Sequence, residues 1–552
     1  MDVRIEHLPA DALGLSAASR HVWAHRPRPL GPSGPLVPAR LEDIQPPEDR
    51  FDADERALLS ERLETQLAAL EPHVAVLDAV RALRQPGACL VLAGQQPGLF
   101  GGPLFVLWKA LHAAVLARAL SERWGVPVVP AFWNHGDDHD LAEVHHAHVL
   151  NHHLDLARVG LPGMSGGKRP LARIVLEREA QRLPAIAAQL AQLLPETEAR
   201  EAALLRAMPR DGETLARAFT RSTTELLGFL GVLVIEPDWI REDLSFALAQ
   251  CAGSPALPGA LDEGAALVRS AGLECAIEPS RAALVFGLDE QEQRQALRRG
   301  GDGWRYDDEP GSRTPSELAA SIVQAPARWS AGALLRPLVQ DQALPVAAYV
   351  GGPGELAYHL QLGPVREALG LPNPAFVPRL SVSVVDAETR LAAERAGLSL
   401  AEVLSARGGL VAAEKERAKK RGRPEVLRRM RAIADEAAAK LLEERAALRE
   451  LDRGLAIQLK RAADEVKKTV GKLVDRGQRV HQNRTGKAAR HLRRLDNVLF
   501  PREQPQERVL SVLQFTARFG TDWLQALMSE IEPLPSEHLL VHLGDAETAS
   551  RP

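Results

Sequence analysis

Short, wholly apolar runs framed by glycine and proline alternate along the chain with stretches where apolar residues recur every three or four positions. The first run, Ala88-Cys89-Leu90-Val91-Leu92-Ala93, follows Pro86-Gly87. A strand apolar on both faces suits the middle of a parallel sheet. Gly94-Gln95-Gln96-Pro97-Gly98-Leu99-Phe100-Gly101-Gly102-Pro103 comes next, and then Leu104, Leu107, Trp108, Leu111 and Val115 mark a helix running to Arg123. A second apolar strand, Val126 to Trp133, completes a strand–loop–helix–strand unit with a right-handed crossover expected. Gly231 to Pro237 reads as a third buried strand. Ala347-Ala348-Tyr349-Val350, followed by Gly351-Gly352-Pro353-Gly354-Glu355, repeats the strand-to-glycine-loop-to-helix logic, and Phe376 to Ser381 reads as the last core strand. Upstream, Leu58, Leu59, Leu63, Leu67 and Leu70 predict helix between about Asp52 and Arg84. Past Ala387 the pattern is helical throughout. Leu427, Met430, Ala434, Ala437, Leu441, Leu448, Leu451 and Leu455 alternate steps of three and four with one position unfilled, the spacing of a coiled coil. Asp452-Arg453-Gly454 breaks that run, and Leu459, Ala462, Val466, Val470 and Leu473 carry a second helix toward Leu499, so an antiparallel hairpin is expected.

The predicted class is α/β: a Rossmann-type parallel sheet core, interrupted twice by inserted lobes, with an α-helical antiparallel coiled-coil domain. The expected divisions are 1–150 for the N-terminal segment and first half of the core, 151–225 for a first insertion, 226–250 for a core strand and helix, and 251–335 for a second insertion. They continue with 336–390 for the second half of the core, 391–500 for the coiled coil, and 501–552 for a segment packing back on the core. Met164 to Lys168 reads as a flexible turn in the first insertion.

Composition adds limits. A chain of 552 residues, 45% apolar and 25% charged, can bury a large core, although only 4% is aromatic. Met1-Asp2-Val3-Arg4 lacks the features of a signal peptide. No apolar run approaches the roughly 20 residues that cross a bilayer, so no membrane role is expected. Three scattered cysteines (Cys89, Cys251, Cys275) provide neither a disulfide framework nor a paired metal motif, so a reducing cytoplasm is expected. The net charge of −4 conceals a basic segment, with 25 Lys and Arg against 12 Asp and Glu between Glu414 and Arg494. That surface is either a solvated coiled coil or an anion site.

Ligands of open parallel sheets bind beyond the carboxyl ends of the strands. Two clusters fall there. In the first, Gly98, Gly101 and Gly102 allow close approach of a ligand, and the amides opening the Leu104 helix favour an anion. Gln95 and Gln96 can donate to and accept from a carboxylate, hydroxyl or amide. Neither the dinucleotide pattern GxGxxG nor a Walker A lysine is present. The second cluster places Asp137, Asp138 and Asp140 around His139. Crowded carboxylates should raise at least one carboxyl pKa and that of the imidazole, making His139 a candidate general base or acid with Asp138 and Asp137 beside it. Tyr349, Gly351, Gly352 and Glu355, with Tyr358, His359 and Gln361, are expected to close the same cleft. Arg379, ahead of Ser381 and Ser383, is read as a carboxylate- or phosphate-binding arginine or as half of a structural ion pair. Lys109 could reach a nucleotide phosphate or lie exposed on its helix. His135, His145, His146, His148, His152 and His153 invite a metal, but neighbouring histidines on a regular element diverge and no HExxH spacing occurs, so none is assigned.

The set GQQPGLFGGPLF (Gly94–Phe105), FWNHGDDHDLAEV (Phe132–Val144), YVGGPGELAYHLQL (Tyr349–Leu362), VPRLS (Val377–Ser381) and LFPREQPQER (Leu499–Arg508) resembles the bacillithiol-synthesis cysteine-adding enzymes, the BshC family. The resemblance implies a Rossmann core with two connecting-peptide insertions, a coiled-coil domain and a homodimer. It also implies the last step of bacillithiol formation, in which cysteine is joined to glucosaminyl-malate. A nucleotide site comes with the family picture, so ATP or ADP is compatible, with Lys109 and Arg508 as candidate contacts; no cofactor is required by the residues. The family core is similar to that of class I aminoacyl-tRNA synthetases, with the glycine loop in the place of their adenylate-binding motif, yet no KMSKS-like lysine pair follows the last strand. The chain departs from the family pattern at Asp137, where Glu is usual, and at His135, where a small residue is usual. Two rival readings are a metal-dependent hydrolase built on Asp137, Asp138 and the histidines, and a nucleotide- or RNA-binding scaffold built on the basic hairpin. Nucleic acid is the less favoured partner, for want of an anticodon-type module.

Overall fold

The apolar runs form strands β1 (Cys89–Gln95), β2 (Val128–Asn134), β3 (Leu233–Ile235), β4 (Val346–Gly351) and β5 (Ala375–Pro378). The computed structural model describes residues 3–9, 11, 13–32, 34–161, 164, 167–176, 181–300, 303–307, 312–421 and 425–544. All five strands are parallel, in the order β5-β4-β1-β2-β3. The chain therefore switches direction between β1 and β4, and their carboxyl ends open the crevice where such sheets bind ligands. Ala88 to Ala93 are almost wholly buried, as a central strand covered on both faces must be.

Helix α1 (Leu104–Trp124) crosses from β1 to β2. By length and composition it is apolar enough to span a membrane, but most of it is buried against the sheet. The first insertion, between β2 and β3, contains the hairpin His146–Leu150 and Leu156–Gly160 and the helices Leu183–Leu193, Glu198–Ala207 and Leu215–Leu227. Of the turn expected at Met164–Lys168, Ser165 and Gly166 lie outside the described residues. The second insertion, between β3 and β4, carries α2 (Arg241–Gly253), a helix at Leu257–Ser270 and an antiparallel sheet of Val285–Leu288, Arg294–Gly300, Gly303–Tyr306 and Trp329–Ala331.

Three sequence expectations are corrected. Asp52 to Arg84 is two helices, Ala53–Ala68 and Val74–Ala82; Leu59, Leu63 and Leu67 are buried, whereas Leu58 faces outward. Phe376 to Ser381 is not one strand. The chain breaks at Arg379-Leu380, and Ser381–Asp386 joins a separate sheet with His538–Leu543 and the N-terminal strand Val3–Leu8. Ala462 and Leu473 also fall one residue off the buried seam of the second hairpin helix, as described next.

The chain divides into two compact units, one of residues 1–387 with 505–552, and one of residues 388–504. In the second unit, Glu425–Glu443 and Arg445–Leu451 lead to Arg453–Leu499, with the Asp452 side chain accepting from the Leu455 amide at 2.9 Å to cap the long helix. Lys467 pairs with Asp435 at 3.4 Å, and Gly477 faces Leu427. Positions later in one helix thus meet earlier positions in the other, an antiparallel hairpin. Ala434, Ala438, Ala456, Ala463 and Val474 are buried along its seam, with the expected Leu459, Val466 and Val470 half-buried beside them, whereas Leu455, Ala462 and Leu473 are exposed. Small residues let two helices approach closely, and the neighbouring leucines are turned outward.

Candidate active site

Three strand ends and the second insertion meet at a cavity of about 470 Å³. From the core, Gln95 and Gln96 follow β1, His135, Asp137, Asp138 and His139 follow β2, and Glu355 and Tyr358 lie on the short helix Pro353–His359 after β4. The second insertion contributes Arg241, Phe286, Arg294, Trp329 and Ser330, with Arg336 from the helix Arg336–Ala343.

The paired aspartates are held differently. Both oxygens of Asp137 are taken by Arg241, at 2.5 and 3.0 Å, a bidentate clamp between the core and the second insertion. Asp138 instead accepts from Gln96 Nε2 at 2.7 Å and from the His139 amide at 2.7 Å. Arg294 Nη1 stands 2.9 Å from His139 Nδ1, and its guanidinium lies 3.7 Å over the Phe286 ring. The carboxylate crowd does not raise the imidazole pKa, contrary to the sequence expectation. Burial and the Arg294 charge lower it and outweigh Asp138 and Asp140. The carboxyl that is pushed upward is Glu143, by burial and then by Asp140 and Asp138.

Beneath this layer is a buried ionic network. Lys109 is neither exposed nor available to a phosphate: its Nζ is 2.6 Å from the Gly94 carbonyl, 3.1 Å from Gln95 Oε1 and 2.5 Å from Glu355. Glu355 also accepts from the Tyr349 hydroxyl at 2.6 Å and the Gly352 amide at 2.8 Å. Burial opposes its charge, but Lys109, Tyr349 and that amide hold its carboxyl below the usual range. Tyr349 thus supports the cavity from behind. His135 is partly buried at the cavity floor against Gly94, and desolvation, with Arg336 and Lys109 nearby, drives its pKa well down.

The single cleft expected from the sequence is two cavities. Gly351, Gly352, Arg379, Ser381 and Arg508 line a second one of about 350 Å³, together with Trp23 and His538. Arg379 is half of an internal ion pair, with Nη2 on Glu507 and Nη1 on the Leu380 carbonyl, both at 2.6 Å. Ser381 Oγ is 2.9 Å from His538 Nδ1. Gly98, Gly101 and Gly102 reach neither of these cavities. They form a tight turn closed by the C-terminal segment: the Leu104 amide donates to the Leu510 carbonyl and the Val512 amide to that of Gly102. Gly101 and Gly102 have φ of 85° and 72°, and a Cβ on Gly98 would sit 2.6 Å from Gly102 Cα, so the glycines serve the turn. The first amide of the helix is therefore engaged by protein rather than by an anion.

Sequence reasoning missed Arg241 and Arg294, which sit 104 and 155 residues from Asp137 and His139, and Arg336, 22 residues from Tyr358, in a chain rich in arginine. Only the fold brings them in. Among the described residues, no three His, Cys, Asp or Glu side chains are placed to hold a metal ion.

Residues 39–380 match the family model described as bacillithiol biosynthesis BshC, N-terminal Rossmann-like domain, and residues 382–543 match the BshC C-terminal coiled-coil domain. Curated relatives named "Putative cysteine ligase BshC" are similar over most of their length. The protein of Koribacter versatilis is 30% identical over 472 residues, covering 85% of this chain and 86% of its own. That of Solibacter usitatus is 30% identical over 493 residues, covering 87% and 89%. A Geobacillus thermodenitrificans relative is 28% identical over 496 residues, covering 88% and 90%. With a Rossmann-like core carrying the site and a helical hairpin behind it in sequence, the chain belongs to the BshC family of bacillithiol biosynthesis.

Proposed function

We propose that this chain is a cysteine ligase that forms an amide bond between the carboxyl group of cysteine and the amino group of glucosaminyl-malate, the last step of bacillithiol formation. The observation that carries the reading is the cavity at the β1/β4 switch point, lined by three arginines, three carboxylates, two imidazoles and two glutamine side chains. Such a site suits substrates that bring carboxylates together with an amine. Arg336 donates to the Tyr358 hydroxyl at 2.6 Å through Nη2, while Nη1 lacks a protein partner among the described residues. Gln95 and Gln96 bind the acyl group or sugar, and Asp138 with His139 handles the amine proton. The relatives' names support the ligase class.

ATP or ADP is the cofactor class this chemistry can use. Arg508 beside the second cavity is the cation we assign to it, in place of Lys109, which is committed to Glu355. The reading uses no metal and no nucleic acid. We place the reaction in the cytoplasm and the protein in a homodimer joined through the hairpin, whose outward residues include Ile433, Leu451 and Leu473.

The test is product formation by the purified protein from cysteine, glucosaminyl-malate and ATP, followed by mass spectrometry. Bacillithiol is expected from the wild type, with a loss of about 10²-fold or more in Asp138→Asn and His139→Ala. Undiminished product from both variants would remove the pair from the mechanism, and no thiol from the wild type would reject the reaction.

A further inference from the structure

The reading above gives Asp138 and His139 a shared task, and one contact separates their roles. A guanidinium has donors only. With Arg294 Nη1 at 2.9 Å from His139 Nδ1, that nitrogen must present its lone pair, since a proton there would face another N–H. The other possible partner for an Nδ1 proton, Asp138 Oδ1, is 3.6 Å away, beyond a hydrogen bond. Arg294 is not free to swing aside. It is buried, stacked on Phe286, bonded through Nη2 to Ser330 Oγ at 3.3 Å, and tied by its backbone amide to the Lys168 carbonyl at 2.9 Å. Burial and the same guanidinium favour the neutral imidazole. A neutral ring that accepts at Nδ1 carries its one proton on Nε2.

We propose that Arg294 is a positioning residue that locks His139 as the Nε2–H tautomer, so that His139 donates a hydrogen bond to the substrate carbonyl while Asp138 takes the proton of the attacking amine. The step assigned to the two side chains rests on the ligase reading; the tautomer does not. As the amine nitrogen bonds to the carbonyl carbon of a cysteine activated by ATP as an acyl phosphate or adenylate, the C=O π pair moves onto oxygen, and the Nε2–H stabilises the charge that develops there. When that pair returns, the bond from the carbonyl carbon to the phosphoryl oxygen breaks and phosphate or AMP leaves with its electrons. The N–H proton passes to Asp138. Asp137 cannot take this part, because both its oxygens are clamped by Arg241. Asp138 has Gln96 on one oxygen, and amides of its own loop (His139 at 2.7 Å, Asp140 at 3.4 Å) on the other. Arg294 is 3.7 Å from that second oxygen, too far to hold it by a hydrogen bond. The carboxylate thus keeps lone pairs for a proton.

Two measurements test this. In full-length protein labelled with ¹⁵N-histidine, with the His139 ring assigned by its loss in His139→Gln, correlation spectra near neutral pH should show a neutral ring protonated at Nε2. Arg294→Met should give mixed tautomers and titration closer to the ordinary histidine value of about 6.5. A wild-type ring that is protonated at Nδ1, or is an imidazolium near neutral pH, overturns the proposal. No substrate is involved, so the result stands whether or not the ligase reading holds. In the product assay, the glutamine side chain of His139→Gln supplies an N–H donor but no base. It should retain activity within about tenfold, while His139→Ala loses about 10²–10³-fold, the cost of removing one such donor. Equal inactivity of the two variants would show that His139 exchanges a proton, and would overturn its role as a donor.

Discussion

Gly94 and His135 show how closely single residues are matched at the mouth of the sheet. A Cβ at position 94 would lie 2.7 Å from His135 Nε2 and 3.0 Å from the Trp133 carbonyl. Gly94→Ala should therefore destabilise by about 1–3 kcal/mol, seen as a lower urea midpoint. His135→Ala in the same background should recover part of that loss, because only the imidazole half of the clash is removed, and strict additivity of the two changes would refute the coupling. The sequence made His135 visible as a departure from its family; its packing against a glycine at the end of the neighbouring strand was not readable. Asp138 and His139 were legible because they stand together after an apolar strand. Arg294 was not, since nothing in Gln293-Arg294-Gln295 distinguishes it from other arginines until Phe286 and Ser330 enclose it.

Among the elements, helix α1 shows what pattern alone leaves open. Its apolar spacing predicted the helix, but Lys109 on one face could point either way. It points inward, where removing it would strand Glu355 as an uncompensated buried charge. Lys109→Met should cost about 3–5 kcal/mol, and adding Glu355→Gln should restore part of this in thermal or urea unfolding. A stable single variant would show that Glu355 is satisfied by Tyr349 and Gly352 alone. The hairpin gives the complementary case. Heptad spacing located both helices and their antiparallel course, but the seam runs through alanines, leaving Ile433, Leu451, Ile457 and Leu473 substantially exposed. If these residues join two copies, sedimentation should give a dimer, and Ile433→Lys with Leu473→Lys should shift it toward monomer. A wild-type monomer at micromolar concentration, where stable homodimers persist, would reject that interface.

Over the whole molecule, buried histidines join segments far apart in sequence. His112 on α1 stands between the Leu380 amide and the Pro533 carbonyl, and His538 meets Ser381 across two adjacent strands. Burial lowers both to about 4. The unfolded chain, with a value near 6.5, binds more protons than the folded one between those limits, so stability is lost as pH falls from about 6.5 toward 4 and is unaffected above. Each group accounts for at most about 3 kcal/mol by pH 4. Urea midpoints should fall across that window, and His538→Gln should flatten part of the slope; a pH-independent midpoint would contradict this assignment.

The sequence by itself determined the five core strands, the two interruptions and the helical hairpin, because unbroken apolar runs and three-four spacing are local and each admits one economical solution. It also located Gln95, Gln96, Asp138 and His139, because parallel sheets place their chemistry at strand ends. The tertiary structure alone decided which candidates share a cavity. Arg379 pairs with Glu507 and Gly98–Gly102 serve a turn, because residues 505–512 return to that edge of the core. It also supplied the arginines that set the charge of the site, since an ion pair formed across 100 residues or more leaves no periodic trace in the chain.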